Sequence, residues 1–532
     1  MKVRLLVASA LLALMVAGAG AQDARAVLQA VSKNIGADSL TTLQISGTTG
    51  WSSAPGAAHS PADDWPRFEL TSYMKQIDFS ARFLREQLTR QWGRYPQLGG
   101  GQGVPAQGTH TLDVALNGSV AWTIAGGGAG PLDREGYMDG VPVAEMRQLD
   151  VILTPHGFVK AALAPGANPT MVTSLPHGRP TTYVSITALG KYRITAAIND
   201  RNEVEHVQTR VANPMFGDML YEYRYSGYKQ FGTVTFPTLI HHHQGDDRLN
   251  PGHNAMEVEV SAVQANTSVR VLTPPDSAKV PPMSMATVES QKLAEGVWYI
   301  GGIRHGSVAV EFRDFVAVVE APLNEKRAVA VINEVYRLVP KKPIRYLVNT
   351  HHHSDHSGGL RTFVAEGAAI ITHQLNREFY EKVVLSAAPR TLEPDRLYLV
   401  NPDETRDPVL ELVNQKYVVS DGTRTLDVYP VPAFDHAATM VIAYLPRERL
   451  IVNADMYTPP KPGTPLPKPS ASARTLLQTI QRNGLDVARH VGLHGGVGSH
   501  RVPRGTVRQR ALEVAVVGDV DLDRHGVSRR AW

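Results

Sequence analysis

Apolar and polar positions alternate along most of residues 22–272, in runs that Asn, Gly and Asp separate. The clearest runs are TLDVALNGSVAWTI, TTYVSITALGKYRITAAIND, EVEHVQTRV, MLYEYRYSGYKQFGTVTFPTLIHHHQ and AMEVEVSAVQAN. A period of two with turn residues between runs predicts antiparallel hairpins. One helix, DARAVLQAVSKNIG, precedes the hairpins and ends at Gly36. The pattern therefore predicts a mainly antiparallel β domain, a large curved sheet with few helices.

From Ala286 onward the pattern changes to strands that alternate with helices, which favours an α/β domain. GVWYIGG, SVAVEFRDFVAVVEAP and IRYLVNT indicate strands, and LNEKRAVAVINEVYRLV indicates a helix. Proline-rich sequence at 273–285 predicts a linker, and a second proline-rich stretch, 458–473, predicts a long loop. We predict an N-terminal domain at 22–272, a linker at 273–285, a C-terminal domain at 286–500 and a basic tail at 501–532.

Composition narrows the possible environments and partners. The 532 residues favour two or more domains, and 54 basic against 50 acidic residues give no reason to expect nucleic-acid binding. The opening MKVRLLVASALLALMVAGAGAQ has a basic start, a short apolar run and a small-residue cleavage site, which predicts a signal peptide over 1–21. We therefore expect a periplasmic or secreted protein without a transmembrane segment after cleavage. The absence of cysteine excludes disulfides and thiolate ligands.

The highest concentration of side chains that can bind a metal ion lies in NTHHHSDHSGG, where His351, His353, Asp355 and His356 follow the spacing H-x-H-x-D-H. The stretch follows the predicted strand IRYLVNT, and open α/β sheets place ligands at the carboxyl ends of their strands. Imidazole nitrogens and carboxylate oxygens suit zinc. The spacing therefore predicts a metal site at this end of the sheet.

This motif resembles the signature of the metallo-β-lactamase-fold hydrolases, whose fold is an αββα sandwich. The resemblance covers about 286–500 and implies further ligands after later strands. The chain offers His436 after TLDVYPV, Asp455 after LIVNA and His494 in an HG dipeptide. The implied set for two zinc ions is His351, His353 and His436 on one ion, Asp355, His356 and His494 on the other, and Asp455 bridging.

Two adjacent divalent ions can share a hydroxide and so provide a nucleophile near neutral pH. Asp355 is the candidate catalytic residue that orients the nucleophile or returns a proton to the leaving group. We predict an exported dinuclear zinc hydrolase that acts on an ester, thioester, lactone or related bond of a small-molecule substrate, and the oligomeric state stays open. One alternative is a mononuclear iron enzyme that resembles persulfide dioxygenases. Another is a non-enzymatic periplasmic carrier whose metal is structural.

The sequence departs from the common pattern of this family at three places. Phe434-Asp435 stands where glycine usually precedes the third histidine, Ala454 precedes the bridging aspartate, and Glu320-Ala321-Pro322 replaces a turn that usually contains aspartate. Lactamase subclasses with a cysteine ligand are excluded by composition. The cysteine-free subclass generally lacks an aspartate like Asp455, which argues against lactam cleavage.

The remaining histidines receive plainer interpretations. We expect His352 to point away from the metal, His241-His242-His243 to be structural or exposed, and His490 to lie on a helix surface. His305 precedes a strand at a turn that could contact substrate, and Asp435 could anchor His436. The phrase YSGYKQFGTVTFPTLI, with VQANTSV after the next strand, gives the N-terminal domain a weak similarity to periplasmic lipoprotein carriers.

Overall fold

The computed structural model describes residues 23–100, 108–124, 130–131, 141–245, 254–279, 284, 286–386, 389–400, 407–458 and 470–494. The expected signal peptide, the basic tail and most of the second proline-rich stretch lie outside these ranges. None of the helices in the described part has the length and apolar character needed to span a bilayer.

The N-terminal domain contains a 13-stranded sheet, as predicted from the alternating pattern. In its ninth strand Tyr192, Ile194 and Ala196 are buried, as expected for strand residues that share one face. The strands are β1 (Thr42–Ser53), β2 (Arg67–Asp78), β3 (Phe83–Gln91), β4 (His110–Asn117), β5 (Val120–Thr123), β6 (Gly130–Pro131), β7 (Thr170–Ser174), β8 (Thr181–Ala188), β9 (Tyr192–Ile198), β10 (Val204–Asn213), β11 (Gly217–Phe231), β12 (Val234–Gly245) and β13 (Asn254–Ala265). Neighbours in the sheet follow the order β6-β5-β4-β3-β2-β1-β13-β12-β11-β10-β9-β8-β7.

Strand β1 pairs with β2 on one side and with β13 on the other, so that Leu43 lies opposite Ala265. Helix α1 (23–35) ends at Gly36, whose φ of +75° suits a helix end. Helices α2 (Val143–Ile152) and α3 (Pro155–Leu163) pack against the sheet through the same apolar core. Helix α4 (Asp276–Lys279) lies in the predicted linker.

The C-terminal domain contains two sheets. The first contains β14 (Val288–Ala294), β15 (Val297–Gly302), β16 (Gly306–Glu311), β17 (Val316–Val319), β18 (Ile344–Val348), β19 (Ala369–His373) and β20 (Leu410–Val413). The second contains β21 (Tyr417–Ser420), β22 (Thr425–Pro430), β23 (Val441–Leu445), β24 (Leu450–Asn453) and β25 (Arg489–Gly492). Buried valines of both sheets, such as Val308 and Val428, form one core between them.

Helices cover the outer faces of these two sheets, which completes an αββα sandwich. The helices of this domain are α5 (Glu325–Leu338), α6 (Ser354–Ser357), α7 (Leu360–Ala365), α8 (Arg377–Phe379), α9 (Arg396–Val400) and α10 (Ala471–Arg482). Val331 and Val335 of α5 face the first sheet, and Leu476 and Ile480 of α10 face the second. The sandwich and the preceding antiparallel domain confirm the predicted fold class.

Candidate metal centre

The histidine-rich loop begins where β18 ends and leads into α6. Asn349 closes this loop because its side-chain amide donates to the His356 carbonyl at 3.1 Å and to Ser357 Oγ at 3.2 Å. Ser357 Oγ in turn donates to the His351 carbonyl at 2.8 Å. Buried polar groups need such partners, and these bonds fold the motif so that its ligand residues share one side.

The first ligand group contains His351, His353 and His436, and one donor atom from each lies within 4.8 Å of the others. His436 follows β22 in the second sheet, and its Nε2 atom is 3.3 Å from His351 Nε2. Two neutral imidazole nitrogens at this distance direct their lone pairs toward a shared point when neither carries a proton. The group therefore has the form of a three-nitrogen metal site.

The second ligand group contains Asp355, His356 and His494, together with His305. His356 Nε2 lies 3.1 Å from His494 Nε2 and 3.6 Å from Asp355 Oδ2. His305 precedes β16, is buried, and places its Nε2 atom 3.2 Å from Asp355 Oδ2. The turn before β16 therefore lies beside the second ligand group.

Asp455 lies between the two groups. Its Oδ2 atom is 3.5 Å from both His351 Nε2 and His436 Nε2, and 3.0 Å from His356 Nε2. Its Oδ1 atom is 2.7 Å from His494 Nε2. The residue adopts a left-handed backbone with φ +56°, which is uncommon outside glycine and often marks functional positions. The structure thus brings all seven sequence-predicted ligands together.

The protonation states of His351, His353 and Asp455 fit metal binding. Burial lowers the pKa of His351 well below its ordinary value and that of His353 to about 3, so both are neutral and can coordinate. Burial alone would raise the pKa of Asp455, but His436 and His494 lower it well below its usual range. A set of neutral imidazoles and ionised carboxylates suits zinc and related divalent cations.

Glu320 contacts a ligand residue of the second group, and the sequence analysis did not predict this role. It follows β17 with φ +82°, is fully buried, and its Oε2 atom lies 2.8 Å from His356 Nδ1. A carboxylate on the far nitrogen fixes the tautomer of a metal-binding imidazole, so that His356 Nε2 faces the second group. The sequence did mark this position, because Glu320 is the first residue of the Glu320-Ala321-Pro322 stretch that replaces the usual aspartate-containing turn.

His356 itself lies among several carboxylates. Burial alone would lower its pKa, but Asp355 and Asp455 raise it well above the ordinary value. A cation at this position is therefore favoured by the local charge, whether it is a proton on the imidazole or a bound metal ion.

The other histidines differ in their surroundings. His352 is buried, and its Nδ1 atom lies 2.7 Å from Thr439 Oγ1, away from both ligand groups. Asp435 is exposed. The expectation for His490 is wrong, because this residue lies on β25 and is buried.

Comparison with known proteins supports the family resemblance. Residues 307–489 match the model of the metallo-beta-lactamase superfamily. This match spans β16 to the start of β25 and confirms the resemblance inferred from the histidine-rich motif.

Solved structures with similarity to this chain include several metallo-beta-lactamases. One from Pontibacter korlensis is 15% identical, with 43% of this chain and 98% of that chain covered at a TM-score of 0.31. FIM-1 from Pseudomonas aeruginosa, in its mono-zinc form, is 18% identical, with coverages of 44% and 96% and a TM-score of 0.30. These similarities carry no argument about substrate. No match was found among curated proteins.

Proposed function

Starting from a C-terminal domain of the metallo-beta-lactamase superfamily, we propose that this protein is a hydrolase that holds two zinc ions. Its substrate would be a small molecule with an ester, thioester, lactone or related bond. The observation that carries the proposal is the position of Asp455, whose carboxylate lies within 3.5 Å of imidazole nitrogens from both ligand groups. A structural zinc site is normally closed by four ligands, whereas two groups that share a carboxylate are typical of hydrolytic sites.

The residues that would hold the ions divide as the geometry groups them. His351, His353 and His436 would hold one ion, and Asp355, His356 and His494 the other, with Asp455 between them. Bound ions of this kind lower the pKa of a coordinated water and polarise a carbonyl or phosphoryl oxygen of the substrate.

Asp355 is the carboxylate best placed to exchange a proton with substrate. Its side chain is 24% exposed, whereas that of Asp455 is 2% exposed. Burial alone would raise the pKa of Asp355, but His356 and His305 lower it, so the group is an ionised proton acceptor. Donation from His305 Nε2 to Asp355 Oδ2 would keep this carboxylate in place as the proton moves.

The test uses the purified full chain loaded with zinc and a panel of esters, thioesters, lactones, lactams, sulfates and phosphodiesters. Asp355→Asn keeps the shape of the side chain but removes its proton acceptor, and we expect turnover to fall about 10²–10⁴-fold. The ion of the first group should remain, because its three nitrogens are untouched. Asp435→Asn, the same change at an exposed neighbour of the site, is the matched control.

Two results would contradict this proposal. One is a wild-type protein that binds no metal on reconstitution. The other is a zinc-loaded protein whose turnover is the same with Asp355→Asn as with Asp435→Asn.

We also propose that the protein acts outside the cytoplasm, on the basis of the signal-like residues 1–21. Amino-terminal sequencing of the protein recovered from the cell envelope or the medium should give a mature chain that starts near Gln22. An unprocessed chain confined to the cytoplasm would contradict export without bearing on the hydrolase.

A further inference from the structure

We propose that residues 54–66, which connect β1 to β2 and are here named the β1–β2 segment, form a structural part of the metal centre. This N-terminal segment sets the orientation of His353 and holds the two loops that carry the first ligand group. The proposal rests on the metal site described above. It gives the N-terminal domain a direct role in that site.

The first observation concerns the ring of His353. Its Nε2 atom lies 2.8 Å from the carbonyl oxygen of Ala58, and both groups are buried. A carbonyl oxygen only accepts, so Nε2 must donate and must carry the proton of a neutral ring. The Nδ1 lone pair is then left for a metal ion, which is how an acceptor on the far nitrogen selects the ligand tautomer. Here the acceptor belongs to the other domain.

The second observation is a close backbone approach beside the same loop. The carbonyl oxygen of Gly56 accepts from Ser354 N at 3.2 Å, one residue after His353. Gly56 has φ +73°, and a Cβ at this position would lie 3.0 Å from Ser354 Cβ and closer still to its hydroxyl. Only glycine combines this backbone conformation with this approach.

The same segment also holds the loop that carries His436. The carbonyl oxygen of His59 accepts from Ala438 N at 2.8 Å, and His59 Nε2 lies 3.2 Å from the carbonyl oxygen of Phe434. These contacts lie two residues on either side of His436. The β1–β2 segment therefore connects both loops of the first ligand group through hydrogen bonds to their backbone.

Other contacts, which do not involve this segment, also hold the domains together. The Asp218 carboxylate accepts from Thr391 N at 3.0 Å and from Thr391 Oγ1 at 2.7 Å. The buried Arg390 donates to the carbonyl oxygen of Asn213 at 3.2 Å. A change at Gly56 can therefore disturb the metal loop without separating the domains.

The first experiment compares Gly56→Ala with Gly190→Ala in the full chain. Gly190 has φ +74° and open space around it, so both variants place alanine in the same backbone conformation and only Gly56→Ala meets Ser354. Zinc affinity is measured by competition with a chelator, and bound metal by elemental mass spectrometry. We expect Gly56→Ala to bind one of the two ions about 10–100-fold more weakly, the usual effect of losing a contact that orients a ligand. Gly190→Ala should bind both ions as the wild type does.

A rescue variant separates the clash from a general loss of folding. Ser354→Gly removes the side-chain atoms that the methyl group added by Gly56→Ala would meet, so the double variant should bind zinc within about threefold of Ser354→Gly alone. Two results would overturn the inference while the hydrolase proposal stands. One is equal zinc affinity in Gly56→Ala and Gly190→Ala, and the other is a double variant that binds zinc as weakly as Gly56→Ala. A wild-type protein that binds no zinc would overturn both.

Discussion

Two runs of three consecutive histidines occur in this chain, one in each domain. Residues 241–243 lie inside β12, and residues 351–353 follow the end of β18. The composition is the same in the two runs, but the backbone differs. In a strand, successive side chains point to opposite faces, whereas a loop after a strand can turn several side chains toward one point.

In β12 the histidines are held by ordinary partners. His241 and His243 share one face, where their Nε2 atoms lie 2.7 and 2.9 Å from Asn254 Oδ1. His242 is on the other face, buried, with its ring stacked on that of Tyr223 at 4.2 Å. Among the described residues, no group with metal-binding geometry includes any of the three.

After β18 the outcome differs because other strand ends deliver donors to the same place. His351 and His353 meet His436 from the second sheet, and Asp455 arrives from the end of β24. Carboxylates do approach the β12 run, since Glu257 Oε2 lies 3.0 Å from His241 Nδ1. The comparison indicates that convergence of several strand ends, rather than histidine density, makes a metal site.

The strongest way to break this comparison is to remove one carboxylate beside each run. Asp455→Ala should lower turnover by about 10³-fold or more and reduce the zinc content from two ions to one or none, since both ligand groups contact this residue. Glu257→Ala should leave zinc content and turnover unchanged. Elemental mass spectrometry with a turnover assay checks both, and two retained ions in Asp455→Ala would refute the bridging role.

A smaller effect on metal binding is expected from Glu320, which contacts the ligand residue His356. Glu320→Gln weakens the acceptor behind His356, so we expect about 10–100-fold weaker binding of the ion in the second group. Glu222→Gln is the matched change, because Glu222 Oε2 lies 3.8 Å from His243 Nδ1 in the β12 run. Zinc competition should separate the two variants, and equal affinities would mean that Glu320 has only a packing role.

The smallest effect concerns the stability that depends on the buried side chain of His242. Burial lowers the pKa of His242 to about 3, whereas an unfolded histidine titrates near 6.5. Between pH 6.5 and 3 the unfolded chain therefore binds more protons, and stability falls as the pH falls. His242→Phe removes this dependence, so its stability difference between pH 7.5 and pH 5 should be about 2 kcal/mol smaller than that of the wild type.

Urea denaturation of both proteins at the two pH values checks this prediction. Each protein serves as its own reference, because the packing change caused by phenylalanine acts equally at both pH values. Identical pH dependences in the variant and the wild type would show that His242 does not contribute to acid sensitivity.

Much of this architecture was predictable from local patterns. The period-two runs predicted the antiparallel domain. The H-x-H-x-D-H spacing indicated four of the ligands, and the family resemblance implied His436, Asp455 and His494 after later strands. Glu320 was seen only as a departure from a family pattern, since nothing local indicates that a buried glutamate meets an imidazole 36 residues later.

The contact from Ala58 to His353 was beyond local inference for the same reason. It joins residues 295 positions apart and depends on how two domains pack. His490 was misplaced because its strand has only four residues, too few to show a period.

The pairing of β1 with β13 has a consequence for the order in which the parts of the chain fold. Leu43 finds its partner Ala265 only after the whole N-terminal domain has been synthesised, so this sheet cannot close earlier. The sheet can nevertheless be complete before the histidine-rich loop folds, because amino-terminal domains generally fold first. The β1–β2 segment would then be in place as a template when the loop around His353 folds, and metal loading would be the last step of maturation.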